Sequence, residues 1–103
     1  MIERIARLLS FLLLVEVTAY TASLDECGKT DGITASGTIA TACRTIAADY
    51  LPFGTVVIIN GERYIVEDRF GGGYQNRIDI FMNTKEEAFA FGRRLLTVEV
   101  LYE

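Results

Sequence analysis

The segment Thr55–Asp68, TVVIINGERYIVED, decides the fold. Two runs rich in β-branched and aromatic residues flank Asn60 and Gly61, the pair that a type I′ turn favours because both of its central residues need positive φ. An antiparallel hairpin is therefore expected, and the pattern recurs on either side of it. Val15–Tyr20 (VEVTAY) alternates, Arg44–Ala48 (RTIAA) reads as a short strand ending at Asp49, and Arg77–Met82 (RIDIFM) as another. Leu95–Tyr102 (LLTVEVLY) reads as the last strand. One helix is expected near 84–92, where Asn83 or Thr84 can cap the start, Glu86 and Glu87 suit the first turn and Gly92 can end it. Five or six short strands and one short helix describe a mainly β domain closed as a compact barrel, which removes exposed sheet edges.

Composition narrows the chemistry. Half of the 103 residues are apolar and 23% are charged, as in a globular domain. The net charge of −4 disfavours binding to nucleic acid or to anionic lipid. There is no histidine. That excludes Ser-His-Asp and Cys-His catalysis and histidine zinc sites, so chemistry must run on carboxylates, lysine, tyrosine or cysteine. The two cysteines, Cys27 and Cys43, show no metal-binding spacing. They read either as a pair closing a loop or as two small reduced side chains.

Residues 1–15 form an apolar N-terminal segment set apart from a domain over 16–103. Arg4 and Arg7 precede the run from Leu8 to Val15, which only Ser10 interrupts. The run is too short for a transmembrane helix, which needs about 20 residues. It reads either as a signal-like segment or as a buried helix or first strand.

Three aspartates stand on or after strands in apolar surroundings: Asp49, Asp68 and Asp79. In RIDIF, Ile78 and Ile80 share one face, and Asp79 shares the other with Arg77 and Phe81. An aspartate in mid-strand runs against propensity. Each of the three either faces solvent or pairs with arginine, or the strands gather them in a groove where one serves as a general acid.

The residues VTAYTA (17–22), TASGT (34–38), IAAD with LPFGT (46–55), VED (66–68), NRIDIF (76–81) and EEAFAFGRRLLTVEVL, taken in this order, resemble a known family. The chain is similar to the three-aspartate (3D) domain of bacterial cell-wall enzymes, found in MltA-type lytic transglycosylases and stationary-phase muralytic proteins. The resemblance implies a six-stranded double-psi β-barrel. It implies a protein of the cell envelope or secreted from the cell, or a phage-encoded lysin or virion component with the same barrel.

It further implies cleavage of peptidoglycan glycan strands between N-acetylmuramic acid and N-acetylglucosamine, leaving a 1,6-anhydromuramic acid end without cofactor or metal. Asp79 matches the family's catalytic aspartate, with Asp68 and Asp49 as its electrostatic and hydrogen-bonding neighbours. Thr34, Ser36, Tyr74, Asn76 and Arg77 are the expected substrate-binding residues. In the loop RFGGGYQ (69–75) Tyr74 stands where the family usually has lysine, and a tyrosine there can stack on a sugar ring. The TASGT loop either lines the same groove or is a plain turn. The alternative function is a glycan-binding barrel without catalysis.

Overall fold

The computed structural model describes residues 9–22 and 32–102. Six strands and one helix follow in the order β1 (Leu9–Tyr20), β2 (Thr45–Ala47), β3 (Val56–Ile59), β4 (Glu62–Asp68), β5 (Arg77–Phe81), α1 (Lys85–Phe91) and β6 (Arg94–Tyr102). They close into a barrel in the order β1-β5-β2-β4-β3-β6. Two neighbouring pairs, β1 with β5 and β2 with β4, run parallel, and the rest are antiparallel. Two parallel pairs in a closed six-stranded barrel agree with the double-psi fold that the family resemblance implies.

The hairpin forms as its sequence requires. Asn60 and Gly61 adopt φ of 51° and 82°, and Ile59 pairs with Glu62 across the turn. Helix α1 is capped by the Thr84 hydroxyl, which accepts the Glu87 N–H, and the chain leaves it at Gly92 with φ 69°. Only Ala88 of this helix is buried, so its contribution to the core is small.

The core lies inside the barrel. Val15, Val17, Ile46, Val57, Ile59, Val66, Ile78, Ile80, Val98 and Val100 are all buried there, each contributing roughly 1.5–3 kcal/mol through apolar burial. The alternating pleat sends the intervening residues outward. A second, smaller cluster of Tyr20, Ala47 and Phe81 sits on that outer face, beneath Ala22, Ala40 and Ala42.

The structure revises the start of the barrel. The strand expected at Val15 begins at Leu9, so residues 9–15 form the first half of β1, which is the first-strand alternative for the apolar run and joins it to the domain. They pair antiparallel with β6 from Leu9↔Tyr102 through Val17↔Arg94. The run carries leucine at inward and outward positions alike, with Leu12 and Leu14 exposed, so no alternation marked it as a strand. Residues 1–8 lie outside the described part, as does Cys27. Cys43 is exposed.

Candidate functional site

The outer face of three adjacent strands carries the candidate site. β1 and β5 are in parallel register, pairing Glu16 with Arg77, Thr18 with Asp79 and Tyr20 with Phe81. On the other side of β5, Asp79 pairs with Ala47 of β2, and Ala47 pairs with Asp68 of β4 after a register shift at Ile46/Ala47. Thr18, Asp79, Ala47 and Asp68 therefore form one row across the sheet. Two strand spacings separate the Asp79 and Asp68 backbones, about 10 Å.

The three aspartates do different work. Asp79 is half-buried, and its Oδ1 accepts the Thr18 hydroxyl at 2.8 Å. Asp68 accepts the Tyr20 hydroxyl on Oδ2 at 2.9 Å, and the backbone N–H groups of Ala35 and Arg69 on Oδ1, each at 2.9 Å. It thereby ties the 34–38 turn to the end of β4, helped by the Ser36 N–H, which donates to the Glu67 carbonyl at 3.1 Å.

Asp49 organises a loop. Its Oδ1 accepts the N–H of Phe70 at 2.8 Å and of Gly71 at 3.1 Å, and its Oδ2 accepts those of Gly72 and Tyr74, both at 3.1 Å. Burial by itself would raise the Asp49 carboxyl. The backbone donors, those of Gly71 and Tyr74 foremost, outweigh it and hold the group below its ordinary value. Asp49 is a fixed carboxylate that shapes the glycine loop.

Two residues before Asp79 on β5, on the side of that loop, the Arg77 guanidinium lies 4.6 Å from the Tyr74 ring centre and 5.0 Å from that of Phe70. The two rings meet edge-to-face at 5.4 Å. Glu16 backs the arginine with Oε1 3.2 Å from Nε, an ion pair whose angle falls short of a hydrogen bond, and its Oε2 accepts from Arg93 at 2.9 Å. A second stack places Arg69 3.8 Å from the centre of the exposed Phe53 ring.

The expected substrate-binding residues fall into two groups. Tyr74 and Arg77 form a cation–ring stack at the start of Asp79's strand, and Tyr74 is exposed. Asn76 is also exposed, and its carbonyl accepts the Glu16 N–H at 3.0 Å, extending the β1–β5 pairing. Thr34 is buried, with its hydroxyl 2.7 Å from that of Thr38 and 3.1 Å from that of Ser36, so these groups chiefly hold the turn together. Sequence reasoning passed over Thr18 and Tyr20, although both lie at outward positions of the alternating VEVTAY.

The outer face of the barrel thus carries two carboxylates, Asp79 and Asp68, in one row, with rings and arginines beside it. The family model for the 3D domain matches residues 44–102, and the chain belongs to that family. The match ties this barrel to peptidoglycan-related domains. It begins after VTAYTA and TASGT, so those two stretches of the resemblance lie outside it. No curated protein matches the chain.

Proposed function

We propose that the protein is a lytic transglycosylase of peptidoglycan and that Asp79 acts first as general acid, then as general base. The observation that carries this reading is the hydroxyl partner of Asp79. A threonine hydroxyl donates to a carboxylate and accepts from a carboxylic acid, so Thr18 can serve both protonation states. The backbone N–H groups around Asp49 can only donate, which suits a group that stays ionised.

In the reaction, protonated Asp79 gives its proton to the glycosidic oxygen, and the C1–O bond of N-acetylmuramic acid breaks with its electron pair going to that oxygen. The 6-hydroxyl of the same sugar then attacks C1 and loses its proton to the Asp79 carboxylate. The acid is restored, and an anhydro end forms without water. Because the sugar supplies the nucleophile, the second carboxylate that an ordinary glycosidase requires is dispensable. Asp68 holds the neighbouring turn, and Asp49 is a positioning residue for the 70–74 loop. The substrate places the protein's action in the cell envelope or, for a phage-encoded protein, at the wall of its host.

The second reading, a glycan-binding barrel, draws on the exposed Phe53 and Tyr74 rings, which offer stacking faces to sugars. Mass spectrometry of purified sacculi incubated with the protein separates the two. Anhydromuropeptides that are absent with a folded Asp79→Asn variant are expected. Glycan binding without such products would establish the second reading and overturn the first.

A further inference from the structure

A hollow opens beside the carboxylate row, one step along β5 from Asp79. Its walls are the rings of Tyr20 and Phe81, edge-to-face at 5.5 Å, with Ala22, Gly32, Ile33 and Ala40, and the polar Thr34 and Asp68 complete the lining. It has room for about one methyl-sized group. Phe81 follows Asp79 by two residues on the same face of the strand, a separation of about 7 Å. We infer that this hollow receives the 2-acetamido group of the sugar whose glycosidic bond lies at Asp79, an inference that rests on the glycan-cleaving reading above.

The chemistry of the walls matches that group part by part. The methyl needs an apolar, close-fitting surround, which two rings and two alanines give. The amide N–H needs an acceptor. Among the described residues Asp68 Oδ2 takes only the Tyr20 hydroxyl, which leaves it an acceptor site. The position matches as well, because the acetamido nitrogen is attached to the carbon next to the anomeric carbon and so reaches a site adjacent to the reacting bond. A sugar with a hydroxyl or a bare amine at that carbon leaves the apolar hollow unfilled. The small side chains at 22 and 40 then have a reason: larger ones would occupy the space.

Two measurements test this with the intact wild-type protein. In methyl NMR titrations, chitotetraose is expected to shift the Ala22, Ile33 and Ala40 methyl resonances. Cellotetraose, with the same backbone and a hydroxyl in place of the acetamido group, is expected to leave them unmoved. Shifts with both sugars, or with neither, overturn the inference. In digests, chemically de-N-acetylated sacculi should release anhydromuropeptides at least tenfold more slowly than the same material after re-N-acetylation. Equal release from the two overturns the pocket and leaves the transglycosylase standing. Selective methyl shifts with no anhydro product from either substrate uphold the pocket and overturn the transglycosylase.

Discussion

Replacing Asp49 by asparagine tests whether a carboxylate builds the glycine loop. The substitution keeps one acceptor oxygen, which can serve only one of the two N–H pairs from Phe70, Gly71, Gly72 and Tyr74. The amide NH2 then faces the other pair, donor against donor. Two bonds are lost at about 1 kcal/mol each net, a figure that already allows for water reaching the rim. A loss of about 2 kcal/mol lowers Tm by roughly 10 °C in a domain of this size.

Circular-dichroism melts of both proteins measure it, and pH supplies a second check. The Asp49 pKa is lower folded than unfolded, so its stabilisation is complete above the ordinary carboxylate range and drains away as pH falls through the folded value. The gap between wild type and D49N should therefore hold from neutrality to mild acidity and narrow below about pH 4. A gap under about 2 °C at neutral pH would falsify the account, as would one that fails to narrow in acid.

Three further substitutions probe the site and its frame. Thr18→Val removes the hydroxyl beside Asp79 and should slow anhydromuropeptide release about tenfold, equivalent to about 1.4 kcal/mol, while the one lost bond lowers Tm by only about 5 °C; unchanged rates would remove Thr18 from the mechanism. Thr45→Val deletes the 2.7 Å hydrogen bond to the buried Glu67, which Arg44 also pairs at 3.2 Å. It should cost about 1–3 kcal/mol in denaturant unfolding, and a neutral result would show that Glu67 finds another donor. Gly61→Ala forces a Cβ into φ 82° and should cost roughly 1 kcal/mol in the same assay; no loss would mean the turn relaxes to another type.

What the sequence disclosed was local. Asn60-Gly61 fixed a turn through two backbone angles, and Thr84, Glu86, Glu87 and Gly92 bracketed a helix through groups within a few residues of one another. The alternation in RIDIF put Asp79 and Arg77 on one face before any partner strand was known. The role of Asp49 was hidden, because its four partners are backbone N–H groups from a distant loop and leave no side-chain signature. The first half of β1 was legible only as one of three alternatives, because leucine on both faces erased the period and its partner, β6, lies far along the sequence. Tyr20 looked like one more β-former, although its hydroxyl reaches Asp68 across the outer face.

The long β1–β6 pairing also bears on how the protein comes to be made. Within the barrel, the first strand takes the last one, β6, as its antiparallel partner, and its parallel partner, β5, is also late in the order. No nascent chain lacking β6 can close the barrel. Until β5 and β6 have been made, the leucines of β1 have no sheet to join, and contacts between strands so far apart in sequence slow folding. A chaperone that shields an apolar N-terminal stretch would have its longest hold on this chain during that interval.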